Sequence, residues 1–171
     1  PDDAYVCERC DEWNEPFDPF RIYGNTWYVG TDGLSSILVE TSDGLLLFDG
    51  GLPQSAGLIV GNVRALGLDP LDIKAIFVSH AHYDHVGGVN ALQRMTRAQV
   101  FTSEAGVEPL TTGRLMPDDP QYVADSDHGR FPAIRKVTAV ADGEVVTIGD
   151  VDVKAVHTPG HARSSVTWTW E

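Results

Sequence analysis

The chain has 171 residues, enough for one domain with a buried core, because a chain of about 150 residues removes roughly two-thirds of its unfolded surface from water. Its 25 acidic and 12 basic residues leave a formal charge of -13, which argues against a nucleic-acid or anionic-membrane surface, both of which need clustered Lys and Arg. No apolar stretch approaches the roughly 20 residues of a membrane-spanning helix, so the expected partner is a small or neutral molecule, with no nucleic acid and no membrane.

The chain opens at Pro1-Asp2-Asp3 without an initiator Met, pointing either to a removed secretory signal or to an omitted upstream part. Cys7 and Cys10 follow as the only cysteines, in C-x-x-C spacing. No second pair completes a structural zinc cluster, and no βαβ pattern surrounds the motif as it would a thioredoxin-like pair. A local disulfide is the first expectation and free thiols the second.

From Arg21 to Asp49 the pattern predicts consecutive strands at Arg21 to Tyr23, Thr26 to Val29, Ser35 to Glu40 and Leu45 to Phe48, separated by the turn signals Gly24-Asn25, Thr31-Asp32-Gly33 and Ser42-Asp43-Gly44. Ser55 to Leu66 places Ala56, Ile59, Val60, Val63 and Leu66 at helical spacing, and Gly67 closes that helix. Ile73 to Ser79, apolar apart from Lys74 and the closing Ser79, predicts a strand buried on both faces that stops at His80. Helical spacing returns at Val89, Leu92 and Met95, then a short strand at Gln99 to Phe101. A short helix near Glu104 to Leu110 leads into a loop rich in Pro and Asp, containing Pro117-Asp118-Asp119-Pro120. Val137 to Val140, Glu144 to Ile148, Val151 to Val156 and Ser165 to Trp170 predict antiparallel strands, with a turn at Asp142-Gly143 and a break at Pro159-Gly160.

The chemistry concentrates where the buried strand ends, in His80-Ala81-His82-Tyr83-Asp84-His85. Side chains two apart on an extended segment point the same way, so His80 and His82 can approach one ion together. The tight loop after them can turn Asp84 and His85 toward a neighbouring position. Three neutral imidazoles with one open coordination position lower the pKa of zinc-bound water to about 7. His161, presented after Pro159-Gly160, is the natural third. Accidental clustering of surface histidines is a poor account of H-x-H-x-D-H at a strand end. For His128, in a polar loop, and His157, four residues from a better candidate, the bland reading holds and neither is expected to be a ligand. Asp49 ends the Leu45-Leu46-Leu47-Phe48 run either as a plain turn residue or as an acceptor that orients a ligand histidine.

These residues together resemble the metallo-β-lactamase superfamily: H-x-H-x-D-H after a hydrophobic strand, the preceding Leu47-Phe48-Asp49-Gly50-Gly51, and the downstream Thr158-Pro159-Gly160-His161. The segments Trp13 to Phe17, Arg21 to Gly30 and Ser165 to Trp170 resemble subclass B3 β-lactamases in particular. The resemblance implies an α/β fold, the αβ/βα sandwich of that superfamily, represented by its first half plus the beginning of the second in a single domain over residues 1–171. It makes His80, His82 and His161 the ligands of one Zn2+, and Asp84 and His85 ligands of a second. It further implies a periplasmic or secreted enzyme of antibiotic resistance, in which a zinc-activated water oriented by the catalytic Asp84 opens a β-lactam ring. A lactone or thioester hydrolase, or a non-catalytic zinc-binding fragment, are the alternatives.

Two departures from the family stand out. Ala162-Arg163-Ser164 replaces the usual Thr-Pro-Gly after the third histidine. The chain also stops at Glu171, where family members continue through a second half that supplies one further histidine to the second zinc. The expected consequences are a second site short of a ligand and an uncovered apolar face on the sheet from Val151 to Trp170, promoting self-association.

Overall fold

A computed structural model describes residues 2–171. After a single helical turn, α1 (Cys10–Trp13), four strands run antiparallel in succession: β1 (Phe20–Tyr23), β2 (Thr26–Tyr28), β3 (Ile37–Thr41) and β4 (Gly44–Phe48). The helix α2 (Ala56–Ala65) crosses to β5 (Ile73–Phe77), which lies parallel to β4. The one-turn helix α3 (Tyr83–Val86), the helix α4 (Val89–Thr96) and the parallel strand β6 (Gln99–Thr102) come next. The helix α5 (Glu104–Thr112) and a long irregular stretch precede β7 (Val137–Ala139). β1 to β7 form one sheet in chain order, and β8 (Val145–Ile148), β9 (Val151–His157) and β10 (Val166–Trp170) form a second, antiparallel sheet ordered β10-β9-β8.

The centre of the large sheet, from β3 to β6, is buried on both faces, which explains its mostly apolar runs, whereas the edge strand β1 is exposed. In β4, Leu45 and Leu47 pack toward α2 and α4, whereas Leu46 and Phe48 pack toward the small sheet; in β5, Ile73 and Ile76 take the first side and Ala75 and Phe77 the second. Aromatic rings fill the space between the sheets: Phe48, Phe77 and Phe101 stack with centroids 5.1 and 5.0 Å apart, Trp170 stacks on Phe48 at 4.5 Å, and Trp168 meets Phe77 edge-on at 5.0 Å. The Trp168 indole donates to the Val78 carbonyl at 3.0 Å, so the polar end of this buried ring is satisfied.

Three sequence expectations need correction. The strand at Val137 to Val140 does not join the last antiparallel group; as β7 it pairs parallel with β6 at the edge of the large sheet. The intervening α5 and loop form the long crossover that parallel pairing requires, a feature that strand pattern alone does not reveal. The loop after His82 is in fact a helical turn, α3. The outer face of the small sheet is mixed and not a continuous apolar patch: Val151, Val153, Ala155, Val166 and Trp168 are buried toward the large sheet, and Asp152, Lys154, Thr167 and Thr169 face out beside two exposed valines, Val145 and Val156. Cys7 and Cys10 form a disulfide. No helix among the described residues is long and apolar enough to cross a membrane.

Candidate metal centre

The site lies beyond the carboxyl ends of β4 and β5, where two adjacent parallel strands deliver Asp49 and the run from Ser79 onward. Such strand ends are the usual place for a ligand site in a parallel sheet. Asp49 takes a left-handed backbone conformation, φ 60°, with Gly51 at φ 62° two residues on. That bend brings the Gly50 amide onto the His85 carbonyl at 2.7 Å and pairs Gly51 with Val86 in an isolated parallel bridge, so the α3 turn is tied to the end of β4. His161 arrives from the other sheet. The turn that carries it is anchored by the Val166 amide on the Ser79 carbonyl at 2.7 Å and by the Ser164 hydroxyl, which accepts from the Ala81 amide at 3.1 Å.

His80, His82 and His161 come together, with ring centroids 4.6, 4.9 and 4.8 Å apart in the three pairings. One nitrogen from each lies within 4.8 Å of the others, and this is the set of three His, Cys, Asp or Glu donors close enough for one metal ion among the described residues. The donor set fits zinc. Tetrahedral zinc with Zn–N bonds of about 2.0–2.1 Å sets neighbouring nitrogens roughly 3.3 Å apart, and His82 Nδ1 is 3.1 Å from His161 Nε2. His80 Nε2 is buried with no hydrogen-bond partner, a state that costs free energy unless another group occupies its lone pair. His80 and His82 are buried and His161 is exposed, so the group opens to solvent on the His161 side.

Each histidine of the H-x-H-x-D-H run has an oxygen on its outer nitrogen. Ser79 Oγ lies 3.0 Å from His80 Nδ1, Asp49 Oδ2 lies 2.9 Å from His85 Nδ1, and both Asp119 oxygens lie 3.1 Å from His82 Nε2. Asp49 is therefore no mere turn residue: it also accepts from the Ser79 amide and hydroxyl at 2.7 and 2.6 Å. Burial opposes its charged form, but the hydrogen bonds from His85 and Ser79 outweigh that and hold its pKa below the ordinary carboxylate value. For His85 burial likewise opposes the charge, and the Asp49 carboxylate outweighs it and raises the pKa. Burial, with the neighbouring His85 next in weight, lowers His80 to about 3, which keeps this imidazole neutral at any ordinary pH. Burial also lowers His82, against the opposing pull of Asp119.

Asp84 stands beside His85, its Oδ2 3.5 Å from His85 Nε2, so the two side chains expected at a second position are neighbours. Neither belongs to the three-histidine group. His128 is exposed in the 113–136 loop with its ring 6.5 Å from Tyr83, and His157 donates to the Val140 carbonyl at 3.0 Å. Both stand apart from the three-histidine group. Ser79, Asp119 and Ser164 were missed. The only sequence signal for Asp119 is its place in the loop stretch Pro117-Asp118-Asp119-Pro120. A cleft of about 760 Å³ has Ala81, Asp119, Arg163 and Ser164 in its wall, and none of the three imidazoles lines it.

The metallo-beta-lactamase superfamily profile matches residues 29–171, and the chain belongs to that family. It is similar to a solved B3 metallo-beta-lactamase with an active-site glutamic acid, at 46% identity and TM-score 0.93 over 98% of this chain and 62% of that one. Rm3 metallo-beta-lactamase is similar at 43% identity and TM-score 0.91, over 97% of this chain and 61% of that one. Acyl-coenzyme A thioesterase MBLAC2 of Bos taurus is 30% identical over 83% of this chain and 52% of its own length. The chain thus spans about three-fifths of its solved neighbours and about half of that thioesterase.

Proposed function

We propose that the chain carries the zinc site of a B3-type β-lactam hydrolase, with His80, His82 and His161 as ligands of one zinc and Asp84 and His85 as ligands toward a second. The observation that carries this reading is the convergence of three imidazole nitrogens, one of them buried and otherwise unpartnered, in a chain 43–46% identical to solved B3 enzymes. When bound, zinc supplies a water activated at neutral pH and polarises the carbonyl under attack. The chain's own residues prepare that chemistry. His80 stays neutral and keeps its lone pair available, and Asp49 holds His85 in one orientation through its Nδ1. Asp84 is the catalytic residue, its side-chain oxygen accepting a hydrogen bond from the attacking water and orienting it. The Cys7–Cys10 disulfide supports a periplasmic or secreted location, where disulfides persist, and a role in antibiotic resistance follows from the proposed activity.

A thioester or lactone hydrolase on the same site is the second reading, favoured by the likeness to an acyl-coenzyme A thioesterase. The deciding experiment offers the zinc-loaded chain a β-lactam and an acyl-coenzyme A thioester in parallel, with Asp84→Asn as control. β-Lactam turnover that falls on the order of 100-fold or more in the variant supports the proposal. Thioester turnover alone selects the second reading. Zinc binding without turnover of either leaves a non-catalytic zinc-binding chain.

A further inference from the structure

The least expected contact in the site is the one between His82 and Asp119, 37 residues apart in sequence. His82 is 1% exposed and the Asp119 carboxylate 10%, so solvent competes little for either group. A neutral imidazole has one N–H and one lone pair, and an ionised carboxylate can only accept. With both Asp119 oxygens 3.1 Å from Nε2, the proton belongs on Nε2, leaving the Nδ1 lone pair directed to His161 Nε2, 3.1 Å away, where the metal group converges. Among the described residues, no group other than that carboxylate meets the outer nitrogen of the ring to choose between the two tautomers.

Asp119 is itself held in place. Its Oδ1 accepts from the Gln121 amide at 2.9 Å, its own amide donates to the Met116 carbonyl at 2.9 Å, and its carbonyl accepts from the Tyr122 amide at 3.0 Å. Its neighbour Asp118 pairs with Arg163 at 2.5 Å, which ties the same loop to the turn that carries His161. Arg163 is one of the residues standing where the family has Thr-Pro-Gly, so this tether is built from a departure. The pair is exposed on both sides, 73% and 47%, and such pairs contribute little to stability; its consequence is the placement of two loops relative to each other.

We propose that Asp119 is a positioning residue for the metal centre, fixing His82 in the tautomer and orientation that present Nδ1 to the ion, with the Asp118–Arg163 pair holding the Asp119 loop against the His161 turn. This rests on the reading of His80, His82 and His161 as metal ligands. Carboxylates that accept from a ligand imidazole typically change metal affinity by about 10–100-fold when removed.

The test has two arms. In the first, nitrogen-15 NMR of the metal-free wild-type chain reads the His82 ring, and a protonated Nε2 with a bare Nδ1 is expected; the opposite tautomer overturns the proposal. In the second, zinc affinity is measured by competition with a chelator for wild type, Asp119→Ala and Asp119→Asn. The alanine variant should lose about 10–100-fold, and the asparagine variant should recover most of it, because its amide oxygen still accepts from Nε2. A role in stability alone would lower the melting temperature of Asp119→Ala without moving zinc affinity or the tautomer, and that result counts against the proposal. Should Asp119→Ala fail to fold, the wild-type tautomer and the asparagine variant decide. If the wild-type chain binds no zinc, the metal reading falls, and the His82 tautomer still decides where Asp119 directs the proton.

Discussion

At the scale of single residues, the site is a set of imidazoles in which the outer nitrogens of His80, His82 and His85 each meet an oxygen. His161 differs from the others in being exposed and in arriving from a different sheet. Replacing it by Ala removes one of three donors without opening the core, so the fold should persist while most of the zinc is lost. Metal analysis of the folded variant checks this, and unchanged zinc content would show that another residue is the third ligand. A second expectation concerns pH. Burial lowers the His80 pKa from 6.5 in the unfolded chain to about 3 in the folded one. Between those values the unfolded state binds more protons, so stability rises with pH through that window and is lost as pH falls from about 6.5 toward 3. The metal-free wild type should therefore lose melting temperature more steeply over this range than His80→Gln, in which the Asp49–His85 pair remains. Parallel curves for the two proteins would contradict the burial argument.

At the scale of elements, the site depends on how closely the α3–α4 junction approaches the end of β4. A Cβ built on Gly88 would lie 2.3 Å from the Gly50 carbonyl oxygen and 3.0 Å from that of Leu52, and both are backbone atoms. Gly88 has ordinary right-handed dihedrals, φ -81° and ψ -12°, so the requirement for glycine here comes from space and not from conformation. Gly88→Ala should destabilise the chain by about 1–3 kcal/mol through overpacking, and should loosen the Gly50–His85 contact along with it. Urea unfolding of the metal-free variant reads the first effect. Stability equal to wild type would mean that the two segments can separate without cost. The elements around this junction were well legible beforehand, because the apolar periods of α2, α4 and β5 state their own type. The pairing of β7 was not, since a four-residue apolar run is the same in a parallel edge strand and in an antiparallel one, and only the length of the preceding connection distinguishes them.

At the scale of the whole molecule, donors are unevenly distributed between the two expected metal positions. Three histidines converge on one, whereas Asp84 and His85 stand beside each other without a third His, Cys, Asp or Glu joining them as a group among the described residues. Zinc normally takes at least three protein ligands even in a catalytic site. The chain should accordingly bind one zinc tightly and a second much more weakly in a chelator-competition titration, and two tight equivalents would show that the second position draws on a donor outside this set. The sequence by itself determined the family likeness, the order of most elements and the three histidines that converge as the candidate metal group, because H-x-H-x-D-H at a strand end and a histidine after Pro159-Gly160 are local patterns whose chemistry follows from residue type and spacing. The tertiary structure decided what lies behind those ligands: that Ser79, Asp49 and Asp119 each take the outer nitrogen of one histidine, that the turn after His161 is anchored at Ala81 and Asp118, and that the small sheet turns a mixed face outward. The Ser164–Ala81, Arg163–Asp118 and Asp119–His82 contacts join segments 83, 45 and 37 residues apart, and nothing in the local pattern of either segment specifies its partner; they exist only once the chain has packed.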